Sequence, residues 1–504
     1  MMDPNRLEDG VTQTLAPSPL VADRHRRDSL ALAFPEVDRV FADFRERWRI
    51  PGVAYGIVVD GELVHAQGVG NRDVGGELPV DPDSVFQIAS VTKSVTAMCV
   101  LILRDEGRLG LDDPVLEYIP ELGSLRLPTA DSPEVTVRHL LTMSAGLVTD
   151  DPWADRQLGL GVEAFGLLLA RGVPFDHPPG TCFEYSNLGY AILGRVVSNV
   201  AGVPFDRFAA ELVLQPLGMT SSTWTWSRVP DDRVVRGYRL GDGGWVREHA
   251  LSNGAFGPAA GLATSIRDFA RYVGFHLSAW PPRDQPESGP LRRASVREMH
   301  QAWRVCPLDV CADQVQDLRA EGYGYGLVSG IHAADGRFVA HKGGLPGFGA
   351  YVHWLPDQGV GLLAFANLTY APVWEAVWAA MTVLRATGGL APRRSQPSPA
   401  LTAARDAVVQ LYKRWDAREA ASLAAENFYL DLSANRRRKQ FEDLHATLGA
   451  CTSVGELIAP GALEGHWRMD CERGTIDISL SLSPTVPPRL QTLDLIASIG
   501  QHGE

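Results

Sequence analysis

At 504 residues the chain is too long for one ordinary core, and a prior of roughly 150 residues per domain suggests about three units or fewer large ones. A hydrophobic share of 45% with 21% charged residues excludes wholesale disorder. Sixty acidic against 47 basic side chains give a net charge of −13, the wrong sign for a phosphate-backbone binder, so nucleic acid is not an expected partner. Of the 47 basic residues only Lys93, Lys342, Lys413 and Lys439 are lysines, so each raises the question of why arginine does not serve there. No apolar run approaches the ~18 residues of a membrane span, and the N-terminal stretch carries no signal-type segment, so a cytoplasmic protein without a membrane partner is expected. The six cysteines (Cys99, Cys182, Cys306, Cys311, Cys451, Cys471) form no C-x-x-C pair, and H-E-x-x-H and phosphate-loop patterns are missing. Free thiols, with a local Cys306–Cys311 bridge as the alternative, no metal and no cofactor follow as expectations.

In chain order, residues 1–34 read as a flexible leader, followed by a helix over Pro35 to Trp48 with Val37, Val40, Phe41 and Phe44 at helical spacing. Val53 to Val59 and Glu62 to Val69 flank Asp60-Gly61, a pair suited to a tight hairpin turn. A helix apolar all round is predicted from near Ser90 to Gly107, which suits a left-handed C-terminal cap. Asp112 to about Gly218 reads as a mainly helical insertion, and Ser265 with Asp268 marks a capped helix through Val273. The Pro-rich stretch Trp280 to Pro290 is left open as lid or connection. Strands are predicted at Tyr325 to Gly330, Arg337 to His341, Tyr351 to Leu355 and Gly359 to Ala366, then a helix from Val373 to Arg385. Strands at both ends with helices between imply one sheet built from distant sequence. Residues 387–400 read as a linker, and 401–504 as a small α+β module with helices before strands.

Three motifs carry chemistry. Ser90 and Lys93 stand three apart on one helical face, so hydroxyl and amine can meet. A serine needs a base to become nucleophilic, and a desolvated lysine can lose its charge and serve, which arginine cannot do. Alone, S-x-x-K is also what a helix cap with a solvated lysine looks like. Tyr185-Ser186-Asn187 presents a phenol and an amide from a Gly-bounded turn, the phenol suited to proton relay or merely to burial. His341-Lys342-Gly343-Gly344 ends a strand, where a backbone N–H paired with that of Ser90 suits an oxyanion, although a histidine there also reads as a core residue bonded to a carbonyl. Alternation puts His341 and Lys342 on opposite faces.

Together S-V-T-K at 90–93, Y-S-N at 185–187 and H-K-G at 341–343 resemble the serine β-lactamase/penicillin-binding-protein clan, most like its class C, DD-peptidase, D-aminopeptidase and esterase branch. Pro51 to Val53, His139 to Leu147, Pro179 to Thr181, Pro258 to Ser265, Leu355 to Asp357 and Asn367 extend the similarity over residues 35–386. The resemblance implies an α/β (α+β) fold with an antiparallel sheet flanked by helices. It implies Ser90 as acylated nucleophile, Lys93 as activating partner, Tyr185 as general base then acid, and Asn187 as a positioning group. His341 would open the third motif, and Gly344 would supply the second oxyanion N–H. The implied function is a serine hydrolase cleaving an ester or amide of a small molecule or peptide through an acyl-enzyme. An acyltransferase or peptide cyclase, or a non-turnover sensor, uses the same site. Histidine in place of the usual lysine lowers the expectation of penicillin hydrolysis, and Lys342 reads equally as a carboxylate partner or a solvated residue. The C-terminal module more faintly resembles nuclear transport factor 2-like domains. A structural or homodimerising role is expected of it, with His466 and Asp470 as possible pocket residues.

Overall fold

The computed structural model describes residues 25–249, 251–306, 318–393 and 396–499. They fall into two compact units, the larger spanning Arg24–Pro281 and Pro286–Pro392, the smaller made chiefly of Arg393–Glu504. In the larger unit the strands are β1 (Gly52–Val59), β2 (Glu62–Gly70), β3 (Phe86–Gln87), β4 (Tyr238–Gly241), β5 (Gly244–Arg247), β6 (Ala263–Thr264) and β7 (Arg304–Val305). They continue with β8 (Arg319–Tyr323), β9 (Val328–His332), β10 (Gly336–Leu345), β11 (Phe348–Leu355) and β12 (Val360–Ala366). Eight form one antiparallel sheet in the order β2-β1-β12-β11-β10-β9-β8-β7. Asp60 and Gly61 take positive φ at the β1–β2 turn, where glycine adopts such backbone at no steric cost. The joining of distant sequence is the β1–β12 ladder, which runs from Val53↔Ala366 to Val59↔Val360.

Every residue of β1, β11 and β12 is buried, because helices cover both faces of the sheet. On one face Val37, Phe41 and Phe44 of the Phe34–Arg47 helix pack with Ala376, Val377 and Met381 of the Val373–Ala386 helix. On the other the apolar Thr92–Asp105 helix lies within the main core, among the helices of the insertion and the Ile266–Ser278 helix. Ser265 caps the latter, its hydroxyl accepting from Asp268 N–H at 3.2 Å.

Several elements differ from the sequence reading. A helix, Arg26–Ala31, occupies part of the assigned leader, because Leu30 is wholly buried and Arg26 Nε donates to Gly389 O at 3.0 Å. Residues 1–24 lie outside the described residues, as does Cys311; the other five cysteines are free thiols. The strand expected at Tyr325 to Gly330 begins later, at Val328 as β9, because Tyr325 to Leu327 form the turn from β8, with Gly326 at φ +69°. Leu390, within the assigned linker, is buried in the larger unit. The short β3–β6 and β4–β5 pairs and the Arg293–Met299 helix carry too little periodicity to be read.

The smaller unit has helices Pro399–Lys413, Ala417–Leu423, Phe428–Asp431 and Ala434–Leu448. An antiparallel sheet follows, β13 (Cys451–Val454), β14 (Glu464–Cys471), β15 (Gly474–Leu482) and β16 (Leu490–Ile499), in that order. It has its own core around Leu401, Val408, Phe441, Trp467 and Ile478. Among the described residues no single helix is long and apolar enough to cross a membrane.

Candidate active site

The chain turns from β3 into the Thr92–Asp105 helix through a single 3-10 turn, Ala89–Val91. Ala89 holds φ at +50°, a left-handed conformation that costs a non-glycine residue about 1 to 3 kcal/mol and persists only where the surroundings enforce it. Ser90 follows at once, 7% exposed at the head of the helix, and Lys93 lies one turn on with no exposure at all.

Lys93 Nζ has three polar neighbours: Ser90 Oγ at 3.0 Å, Asn187 Oδ1 at 2.5 Å and the Ala259 carbonyl at 3.0 Å. A neutral amine has two hydrogens and one lone pair. Two carbonyl acceptors take the hydrogens, which leaves the lone pair for the serine hydroxyl. Burial pulls the Lys93 pKa down to about 8, against the opposing pull of Asp151, Asp150 and Asp155. The spacing read from sequence is realised in contact.

Asn187 opens the Asn187–Ala201 helix, which Ser186 caps by accepting from Gly189 N–H. Its own N–H and that of Leu188 donate to the Asp150 carboxylate at 2.7 and 2.9 Å, while Nδ2 reaches Asp151 Oδ1 at 2.7 Å. Asp150 and Asp151 thus fix which amide atom faces Lys93. Tyr185 precedes this cap. Lys93 Nζ lies 4.9 Å from its ring centroid. Burial, with Asp151 nearby, pushes its pKa well up, so the phenol stays protonated.

The third motif is on β10. A Cβ at Gly343 would lie 2.2 Å from the Ile88 carbonyl, so the strand can pass the nucleophile turn this closely only as glycine. Gly344 follows, where a Cβ would lie 2.7 Å from the Tyr370 ring, and the Tyr370 hydroxyl donates to Asp155 Oδ2 at 2.7 Å. Burial raises the Asp155 pKa to about 6. His341 is buried at 3% exposure and its ring stands 6.4 Å from that of Tyr185, whereas Lys342 is exposed on the opposite face. Its Nδ1 is 2.7 Å from the Lys342 carbonyl, the contact expected of a core histidine, while its ring lies beside that of Tyr185. Burial, then Lys93, pulls its pKa down to about 3.

Ser90, Lys93, Tyr185, Asn187 and His341 are therefore brought together, with Gly344 one residue beyond the strand's closest approach. Sequence reasoning missed Asp150, Asp151, Asp155, Tyr323 and Tyr370, which act across long sequence separations. The only signal was the paired Asp150-Asp151 within the insertion. Among the described residues, Asp176, His177 and Glu184 have potential metal-ligand atoms within 4.8 Å of one another, in a solvent-accessible loop before Tyr185.

Comparison with known proteins points the same way. Protein flp of Staphylococcus aureus (strain N315) is 26% identical over 340 residues, 67% of this chain and 64% of that protein, so the chain spans under two thirds of that relative's length. A protein named Beta-lactamase from Lysobacter lactamgenus is 27% identical over 380 residues, 71% of this chain and 92% of that protein. The octameric penicillin-binding protein homologue from Pyrococcus abyssi has a similar fold, with TM-score 0.59 and 21% identity over 92% of this chain and 98% of that one. So does a penicillin binding protein from Bacillus halodurans, with TM-score 0.55 and 21% identity over 68% and 99%. The family model described as Beta-lactamase matches residues 37–386, and the chain belongs to that family.

Proposed function

We propose that the protein is a serine hydrolase that forms an acyl-enzyme on Ser90 and cleaves an ester or amide bond of a small molecule or peptide. The observation that carries this reading is the Lys93 amine held by two carbonyls, with its remaining position on Ser90 Oγ. Neutral Lys93 takes the hydroxyl proton as Oγ attacks the substrate carbonyl. The backbone N–H groups of Ser90 and Gly344 stabilise the oxyanion. We assign Tyr185, whose pKa burial pushes well up, to the acid step, donation to the leaving group. The proton held on Lys93 passes to the resulting phenolate beside it, restoring neutral Lys93 and the Tyr185 phenol before deacylation. Water then repeats the sequence and releases the acyl group.

Intact-mass analysis after exposure to a fluorophosphonate tests the nucleophile. One adduct is expected on the native chain and none on Ser90→Ala; an adduct surviving in Ser90→Ala refutes the assignment. A panel of p-nitrophenyl esters, D-aminoacyl anilides and a chromogenic cephalosporin then assigns the acyl group. For the smaller unit we propose a structural or self-associating role in a nuclear transport factor 2-like fold, supported by its helices-then-sheet order. Light scattering of the full chain reads that role as a dimer or larger assembly.

A further inference from the structure

β9 begins at Val328, paired with Ala340 on one side and Tyr323 on the other, so His341 lies just beyond its end. The Tyr323 side chain fills that gap: its hydroxyl is 3.1 Å from His341 Nε2, and both residues are buried. On the other nitrogen, Nδ1 is 2.7 Å from the Lys342 carbonyl, which can only accept. Nδ1 therefore carries the hydrogen, Nε2 is the acceptor, and the Tyr323 hydroxyl donates to it. The Tyr323 ring stands edge-on to Tyr185 at 6.2 Å and 85°, crosses His341 at 6.0 Å and 77°, and is flanked by Phe183 at 5.7 Å. Tyr185 is thus walled by two rings that are themselves tied to each other.

We infer that Tyr323 is a positioning residue of the reaction: it locks His341 as an uncharged Nδ1–H tautomer, and with that ring holds the Tyr185 ring in place beside Lys93. The inference rests on the acyl-enzyme reading for its kinetic consequence, but not for the tautomer. Charged and titratable groups around His341 are Lys93 from the nucleophile helix, Lys342 on its own strand, Tyr185, Tyr323 and, beside Tyr323, the buried Tyr190 of the Asn187–Ala201 helix and the half-buried Cys306. A hydroxyl donating to Nε2 stabilises the neutral ring, so its removal moves the protonation of His341 upward in pH.

The test combines Tyr323→Phe, His341→Asn and the double variant, each followed by the rate of fluorophosphonate labelling across pH, with 15N spectra of selectively labelled histidine. Tyr323→Phe keeps the ring and is expected to label about fivefold to tenfold more slowly, the size of one hydrogen bond's net worth, with the 15N titration of His341 displaced upward. The double variant should be no slower than His341→Asn alone, since the two act as one unit. In the native protein the 15N spectra should give the His341 signal, identified by its loss in His341→Asn, as the Nδ1–H form. Labelling of Tyr323→Phe at the native rate with an unmoved His341 titration, or an Nε2–H or doubly protonated His341 at neutral pH, overturns the inference. Failure of the native chain to label would instead strike the proposed acyl-enzyme, and the tautomer would still decide the role of Tyr323.

Discussion

Lys93 is where one atom's chemistry decides the site. Lys93→Arg retains the charge but cannot offer a lone pair, so fluorophosphonate labelling is expected to fall below detection; near-native labelling would remove Lys93 from proton transfer. The Lys93 pKa of about 8 fixes a pH dependence. The amine is protonated and inactive below that value and neutral above it, so the labelling rate should climb through about pH 8 and then level off. A rate independent of pH between 6 and 9 would contradict this. At this scale the sequence was most informative, because serine and lysine three apart on a helix must be neighbours whatever else the fold does. Asp150 and Tyr323 left no such mark: their partners Asn187 and His341 are reached only by packing of separate segments.

Between elements, the site depends on how closely β10 passes the turn before Ser90. In Gly343→Ala the added methyl meets a backbone carbonyl, which has no rotamer to yield, so the strand must move away. Ser90 labelling is expected to drop at least tenfold with circular dichroism unchanged, and native labelling would show that the approach is not needed. The first helix is a second such contact. Leu30→Ala should lower stability by about 2 to 5 kcal/mol, measured by denaturant unfolding, because it empties a fully buried position. Strands with clear alternation and glycine-marked turns were legible. The two-residue β3, β6 and β7 were not, since pairs that short carry no period and exist only because a neighbour supplies the other half.

Taken whole, the chain places its chemistry in one unit and a separate apolar core in the other. Residues 396–499 alone are expected to unfold cooperatively on heating, and a chain ending at residue 392 to retain Ser90 labelling. A non-cooperative melt or a lost adduct would mean the units depend on each other. The break near residue 390 was visible in composition, but its edge was not, because Leu390 belongs to the core before it. The β1–β12 ladder has a consequence for how the molecule is made. Its strands are separated by about 300 residues, so on a ribosome adding roughly 5 to 20 residues per second β1 waits some tens of seconds for its partner. Through that interval a strand apolar on both faces has only β2 beside it, leaving an open edge that invites pairing with another nascent chain. The late closing of the sheet makes synthesis itself, more than the finished fold, the stage at which this protein is exposed to aggregation.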